Sequence, residues 1–279
     1  KAQYDYFDHS AKVHGSRVVA LPSAQMPLRR SFGYLIPRAR LYYTGYELSD
    51  VSPGVASQQS HLIPSLDVDG KLIFERDTSW FGSPVLQTLE PRLYYVLTTF
   101  EDQSDSPLFD TTELDFSFAS LFRPNRFTGY DRVGDENRLT LALTSRTLDS
   151  RDGRELFRAS VGQIQYFKER EVQLLGRSLV DDPSSSVAGE LAASLDEDWS
   201  AQATVQWNPH ETESPWEKRV LNLRYAPGEN RVVNLSYRYN LGKTEDQRYE
   251  DTDLSFHFPV TSHVGLVGRW LYSLLNDET

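Results

Sequence analysis

Histidines, serines and closely spaced carboxylates are the groups in this chain with chemistry to offer, and their spacing supplies little of it. A metallohydrolase site of the His-Glu-x-x-His kind sets two histidines four apart around a glutamate. Here His9 and His14 are five apart, and His257 and His263 six, so neither pair fits. Serine nucleophiles at a strand-to-helix turn sit in Gly-x-Ser-x-Gly, and the sequence contains no such elbow. With no cysteine, thiolate nucleophiles, thiolate metal sites and disulfides are all excluded. Asp67 and Asp69 stand two apart, which puts both on one face of a strand. Such a pair suits acid–base work, and it suits the wall of a wet interior as well. No catalytic residue, metal or cofactor is expected.

The elements that carry these groups are strands. The 15 Tyr, 14 Phe and 5 Trp lie mostly where apolar and polar residues alternate. Val233, Leu235, Tyr237, Tyr239 and Leu241 share one face, while Asn234, Ser236, Arg238 and Asn240 share the other. Leu62, Pro64, Leu66, Val68, Leu72 and Phe74 hold one parity against Ser65, Asp67, Asp69, Lys71 and Glu75. Period two is the strand signal. Strands are expected at 1–7, 14–29, 33–46, 61–75, 85–99, 138–148, 154–168, 187–195, 199–208, 217–226, 231–241, 251–258 and 263–274. The apolar parity switches near Gly162, which predicts a bulge there. Pro22, Pro37, Pro64 and Pro91 fall inside predicted strands, where each removes a ladder donor. They mark either bulges or strand breaks.

Net charge is −11, from 40 acidic and 29 basic residues, which argues against a nucleic-acid partner. Mean hydropathy is −0.52 and no 18-residue apolar run exists, so no transmembrane helix is expected. The first residues do not read as a signal peptide. A transmembrane β-barrel passes these tests, because each strand's lipid face is diluted by a polar lumen face. Connection lengths point the same way. Tight turns are expected at 149–153, 196–198, 227–230 and 259–262, and longer links at 47–60, 100–137, 169–186, 209–216 and 242–250, with 76–84 intermediate. Short turns on one rim and long loops on the other describe an outer-membrane barrel.

Motifs in the middle of the chain resemble a known family. Leu89-Glu90-Pro91-Arg92-Leu93-Tyr94-Tyr95, Asp102-Gln103-Ser104-Asp105, Leu121-Phe122-Arg123 and Gly129-Tyr130-Asp131-Arg132 occur in order. Asn137-Arg138-Leu139-Thr140 and Ser160-Val161-Gly162-Gln163-Ile164-Gln165-Tyr166-Phe167 follow. Together they resemble the LptD family, the lipopolysaccharide-assembly proteins of the Gram-negative outer membrane. The resemblance implies part of an antiparallel all-β transmembrane barrel, about 12–14 strands of a larger one, forming one domain over 1–279. It implies lipopolysaccharide as cargo, an LptE-like plug lipoprotein as partner, and a periplasmic LptA-type bridge reached only through an N-terminal jelly roll. That jelly roll, the C-terminal strands, the lateral gate and the family's disulfides are expected to lie outside the chain. A porin-like diffusion channel and a soluble all-β binding domain remain alternatives.

Two sets of candidate site residues follow. The loop from Phe100 to Asn137 carries Leu108, Phe109, Phe116, Phe118, Leu121, Phe122 and Phe127, too many apolar groups to stay in water. It is expected to fold inward. Asp102, Gln103, Ser104, Asp105, Phe109, Asp110, Arg123, Arg126, Asp131 and Arg132 are candidates for contact with a plug, or for ion pairs that merely hold the loop. Asp67, Asp69, Lys71, Glu90, Arg92, Asn222, Arg224, Asn234, Ser236, Arg238 and His257 are candidates for the lumen lining. Trp80, Trp199, Trp207, Trp216 and Trp270 suit interfacial girdles. The acids of Asp181-Asp182, Asp196-Glu197-Asp198 and Glu245-Asp246 read as solvated turns.

Overall fold

The computed structural model describes residues 1–174, 182–242, 247–261 and 263–278. Asp181, Glu245 and Asp246 lie outside the described residues. Alternation of side chains becomes sixteen strands: β1 (Ala2–Phe7), β2 (His14–Ala20), β3 (Ser23–Gln25), β4 (Leu28–Arg30), β5 (Gly33–Ser49), β6 (Gln58–Leu72), β7 (Phe74–Trp80) and β8 (Ser83–Thr98), then β9 (Glu136–Asp149), β10 (Glu155–Tyr166), β11 (Val187–Ser194), β12 (Trp199–Trp207), β13 (Trp216–Tyr225), β14 (Val232–Asn240), β15 (Tyr249–Pro259) and β16 (Gly265–Ser273). One sheet takes them in the order β1-β2-β5-β6-β8-β9 and onward to β16, with β3 and β4 paired to β5 and β7 to β8. The pairings are antiparallel wherever their register is described. The protein is therefore all-β and antiparallel, and from β8 onward each strand lies beside its neighbour in sequence, while β2 pairs with β5 and β6 with β8. This is what short reversals allow, and no helical crossover is needed.

Reversals alternate in length. Turns at 31–32, 81–82, 150–154, 195–198, 226–231 and 260–264 are each shorter than the links flanking them, at 8–13, 50–57, 99–135, 167–186, 208–215 and 241–248. The expected link at 76–84 is mostly strand. β7 runs on through Glu75, Arg76, Asp77, Thr78 and Ser79, all exposed, and reverses within Phe81-Gly82 at φ 51° and 81°. Both faces of β7 are exposed, so no apolar alternation marked it.

Prolines split between the two expectations. The chain leaves the ladder at Leu21-Pro22, where β2 ends before β3, and the Leu41 N–H donates to the Pro22 carbonyl at 3.0 Å. Pro37, Pro64 and Pro91 stay within continuous strands, with Pro37 opposite Val68 and Pro64 opposite Leu41. β10 pairs with β11 in unbroken register from Phe157 to Gly162, and the register then slips by one residue before the Gln165–Ser184 bridge, so the irregularity falls just beyond Gly162. The parity switch has another origin: Ile164 lies on the buried face, 4 % exposed, while Val161 faces out. A further register shift falls between Gln206 and Trp207.

Two compact units divide the chain, the first comprising Lys1–Leu72, Arg92–Leu141 and Ile164–Ser184, the second Ile73–Pro91, Ala142–Gln163 and Ser185–Thr279. In the first unit the link after β8 lies on one face of the sheet. Leu121, Phe127 and Val133 from that link join Val19, Tyr46, Ile63, Tyr94 and Val96 from the strands in a buried core. The other face of the same strands carries exposed leucines. Along β6, Leu62 and Leu66 are 57 % and 56 % exposed, whereas Ser65 and Asp67 are 1 % exposed. On β6 leucines face out while charged Asp67 and Asp69 face in beside the loop's core, an arrangement that a water-soluble domain does not favour.

In the second unit β12 to β16 are 9, 10, 9, 11 and 9 residues long. A tilted strand needs about 9–11 residues to cross a bilayer. Leu191, Val205, Leu221, Leu235 and Leu271 are exposed. Their strand neighbours Asn222, Ser236 and Arg238 belong to the opposite face. Trp199 opens β12 beside a short turn, and Trp207 and Trp216 flank a long link.

Candidate functional site

The link from 99 to 135 is held on the inner face of the first unit by two ionic anchors. The first centres on Arg17 in β2, whose side chain is fully buried. Its guanidinium donates to both carboxylate oxygens of Asp110 at 2.7 Å, to Asp131 at 2.7 Å, and to Asp5 of β1 at 2.8 Å. Asp131 also accepts the Tyr46 hydroxyl at 3.0 Å and the N–H groups of Phe109 and Asp110 at 2.8 and 3.0 Å. Phe109 stacks on Phe7 with centroids 4.1 Å apart. A planar guanidinium with five donors can serve three carboxylates at once, where an ammonium presents only a point charge. The bond from Arg17 holds the Asp110 carboxyl below the usual carboxylate range, against the opposing effect of burial.

Arg126 makes the second anchor. It pairs with Asp135 at 3.2 Å and Glu136 at 3.0 Å, donates to the Asp135 carbonyl at 2.9 Å, and reaches the Val172 carbonyl. Asp135 in turn accepts the N–H groups of Glu171 and Val172, both at 3.0 Å. Two long links are thereby tied together. Between the anchors, Arg132 is 1 % exposed and donates to the carbonyls of Ser106 and Asp131 at 2.7 and 2.8 Å. Burial pushes its pKa down, although a guanidinium stays protonated. Gln103 closes a two-way bond with Val133, at 2.9 Å in each direction.

The ten loop candidates therefore sort by exposure and partner. Asp102, Ser104 and Asp105 are exposed, with the Asp102 carboxylate accepting the Ser104 N–H at 3.0 Å, a bond that holds its carboxyl low. Gln103, Phe109, Asp110, Arg126, Asp131 and Arg132 make the internal contacts just described. Arg123 is exposed, its carbonyl accepts from Arg138 at 2.5 Å, and its guanidinium has no hydrogen bond or ion pair among the described residues. Sequence reasoning missed Arg17, Asp5 and Tyr46. Parity alone put Arg17 opposite outward-facing Val18, but nothing local tied it to a loop more than ninety residues on.

Inner-face candidates behave alike in the first unit. Asp69 accepts Arg92 through both oxygens at 2.9 and 2.8 Å, Asp67 accepts Arg38 at 2.7 Å and also binds Arg40, and Lys71 stands in register with Tyr34 and Arg92. Arg92 lies 3.6 Å from the ring centroid of Phe122. These arginines border a cavity of about 520 Å³, closed on the loop side by Phe118, Phe122 and Arg123. In the second unit Glu90 accepts Thr88 at 2.9 Å and pairs with Arg146 at 3.1 Å. Asn222 faces Ser236, Arg224 faces Asn234, and Val232 faces His257. Arg238 pairs with Asp251 at 3.1 Å. Asp196 is a turn cap, accepting the N–H groups of Asp198 and Trp199 at 2.8 and 2.7 Å. Among the described residues no three acids or histidines are grouped to hold a metal.

Comparison with known proteins gives one consistent result. Residues 1–272 match the family model LptD, described as LPS transport system D. LPS-assembly protein LptD of Nitrosococcus oceani is 39 % identical over 271 residues, covering 97 % of this chain and 36 % of that protein. The proteins of the same name from Hahella chejuensis and Alkalilimnicola ehrlichii are 40 % and 39 % identical, with 96 % and 95 % of this chain covered and 33 % and 35 % of theirs. The chain spans about a third of the length of these curated relatives.

Proposed function

The chain belongs to the LptD family, and from that premise we propose that it forms part of the wall of a lipopolysaccharide translocon in the Gram-negative outer membrane. One observation carries the reading: exposed leucines and buried ion-paired residues alternate along the same strands. Lipid requires an apolar outer face, and strands cross it only when every backbone group is paired to a neighbour. A polar inner face gives the hydrophilic sugar of lipopolysaccharide a hydrated route while its acyl chains stay in lipid. Lys71, Arg92, Asn222, Arg224, Asn234, Ser236, Arg238 and His257 line that route, with the buried Asp67, Asp69 and Glu90 holding arginines from behind it. Trp199, Trp207 and Trp216, at strand ends, sit at the two membrane interfaces. The work is passage, with no bond made or broken.

The anchored link is a preformed seat for a plug lipoprotein of the LptE kind, which meets the exposed residues Asp102, Ser104 and Asp105. Because the loop's buried charges are paired internally, it keeps its shape before the plug arrives. The relatives are about three times as long as this chain, and docking of a periplasmic bridge of the LptA kind is left to their remaining length. Photo-cross-linkers in the full chain, in growing cells, test both parts. Substituted at Arg224 and Ser236 they capture lipopolysaccharide, and at Asp102 and Ser104 they capture the plug lipoprotein. Lipopolysaccharide caught at neither inner-face position overturns the transport reading, and no plug cross-link at either loop position overturns the seat.

A further inference from the structure

The cavity bordered by Arg38, Arg40, Arg92, Arg123, Phe118 and Phe122 lies apart from the two ionic anchors of the loop. We propose that it binds a phosphorylated sugar, with the guanidinium groups on the phosphate and the ring of Phe118 against the sugar. Four guanidinium groups face two carboxylates, Asp67 and Asp69, so the wall keeps a net charge of +2 in a chain whose total is −11. The carboxylates are 1 % and 5 % exposed, so they sit behind the arginines and the groups that face the space are N–H donors. Each guanidinium has five such donors, and the bonds to Asp67 and Asp69 use two at most. Arg123 uses none of its side-chain donors among the described residues.

Arg38, Arg40 and Arg92 are also fixed in place before a ligand arrives. Asp69 grips Arg92 through two bonds while Phe122 lies under it at 3.6 Å. Phe122 is itself held edge-on by Phe118 and Tyr94, with centroids 5.6 and 6.3 Å away. Ser117 and Ser120 bond reciprocally and set the short 3-10 turn at Ser120–Phe122 that brings the aromatic rings forward. Preorganisation of this kind lowers the cost of binding. The cavity's volume of about 520 Å³ lies within the range of small-molecule sites, roughly 300–1,000 Å³. A bare phosphate would leave most of it, and the aromatic wall, unfilled. The site stands on its own geometry, and only the identification of its natural ligand with a lipopolysaccharide sugar rests on the transport reading.

Calorimetric titration of the full chain in detergent tests the proposal, with glucose 1-phosphate, glucose and inorganic phosphate as probes. Glucose 1-phosphate is expected to bind, Arg123→Ala to weaken it at least tenfold, and Arg123→Lys to restore part of the loss. Arg123 is exposed and has no side-chain partner among the described residues, so the alanine variant should fold, and unchanged heat-modifiable migration on a gel checks that it does. Absent binding of glucose 1-phosphate, or equal binding to native and Arg123→Ala protein, overturns the site. Glucose binding as tightly as its phosphate overturns the anionic part, and inorganic phosphate binding as tightly as glucose 1-phosphate overturns the sugar part. Loss of glucose 1-phosphate binding with lipopolysaccharide cross-linking intact at Arg224 and Ser236 strikes only the cavity. Loss of that cross-link in the native chain strikes the transport reading.

Discussion

Arg17 is the residue on which the loop depends most. It is fully buried, and it is the shared partner of Asp5, Asp110 and Asp131, which the chain brings together from three distant places. A buried charge that loses its partner costs far more than a surface pair is worth. Arg17→Met is therefore expected to destabilise the full chain by about 3–5 kcal/mol, because it removes the ion-pair partner of the buried Asp131 carboxylate. Urea unfolding in detergent micelles measures the loss, and limited proteolysis should find the 99–135 link newly cleavable. A loss under about 1 kcal/mol, the range of exposed pairs, would mean that water already reaches this cluster. Asp102 and Ser104, both exposed, should tolerate alanine in the same assay.

The 99–135 link behaves as an element because its backbone leaves little room for change. Gly129 has φ +64°, and a Cβ there would lie 2.5 Å from the Asp110 carboxylate and 2.6 Å from the Asp110 carbonyl. Gly54 has φ +92° with nothing within 4 Å of the same position. Gly129→Ala thus adds a clash to the strain of a left-handed alanine, at about 1–3 kcal/mol, while Gly54→Ala adds strain alone. Amide exchange should rise across 99–135 in Gly129→Ala and only near 50–57 in Gly54→Ala. Equal effects would show that the link has slack around Gly129. The strands were legible as elements because period two is a local property. β7 was read short for the same reason, since its Glu75, Arg76, Asp77, Thr78 and Ser79 are all exposed and carry no apolar alternation.

At the scale of the whole molecule the inverted burial predicts how the protein responds to lipid. Leu66 lies on the exposed face one residue from buried Asp67. Leu66→Arg should cost about 2–4 kcal/mol if the position is near the bilayer midplane, falling to about 0–1 near an interface. Reversible unfolding in lipid vesicles of defined thickness reads that depth. No cost in vesicles of any thickness would show that this face does not meet lipid.

By itself the sequence determined that the chain is a succession of antiparallel strands, where each reverses within a few residues, and that one long, apolar-rich link must fold inward. Strand period, turn residues and link length are all written in neighbouring positions, so they could be read there. Its motifs also carried the family. Only the tertiary structure decided that Arg126, Asp131 and Arg132 are occupied in holding the loop, that Ile63 and Ile164 belong to the buried face, and that Arg38, Arg40, Arg92 and Arg123 converge on one cavity. Those outcomes depend on which residues of distant strands stand opposite one another. Strand register and loop docking are set by the sum of many remote contacts, and a charged side chain looks the same in sequence whether its partner is water or a carboxylate a hundred residues away.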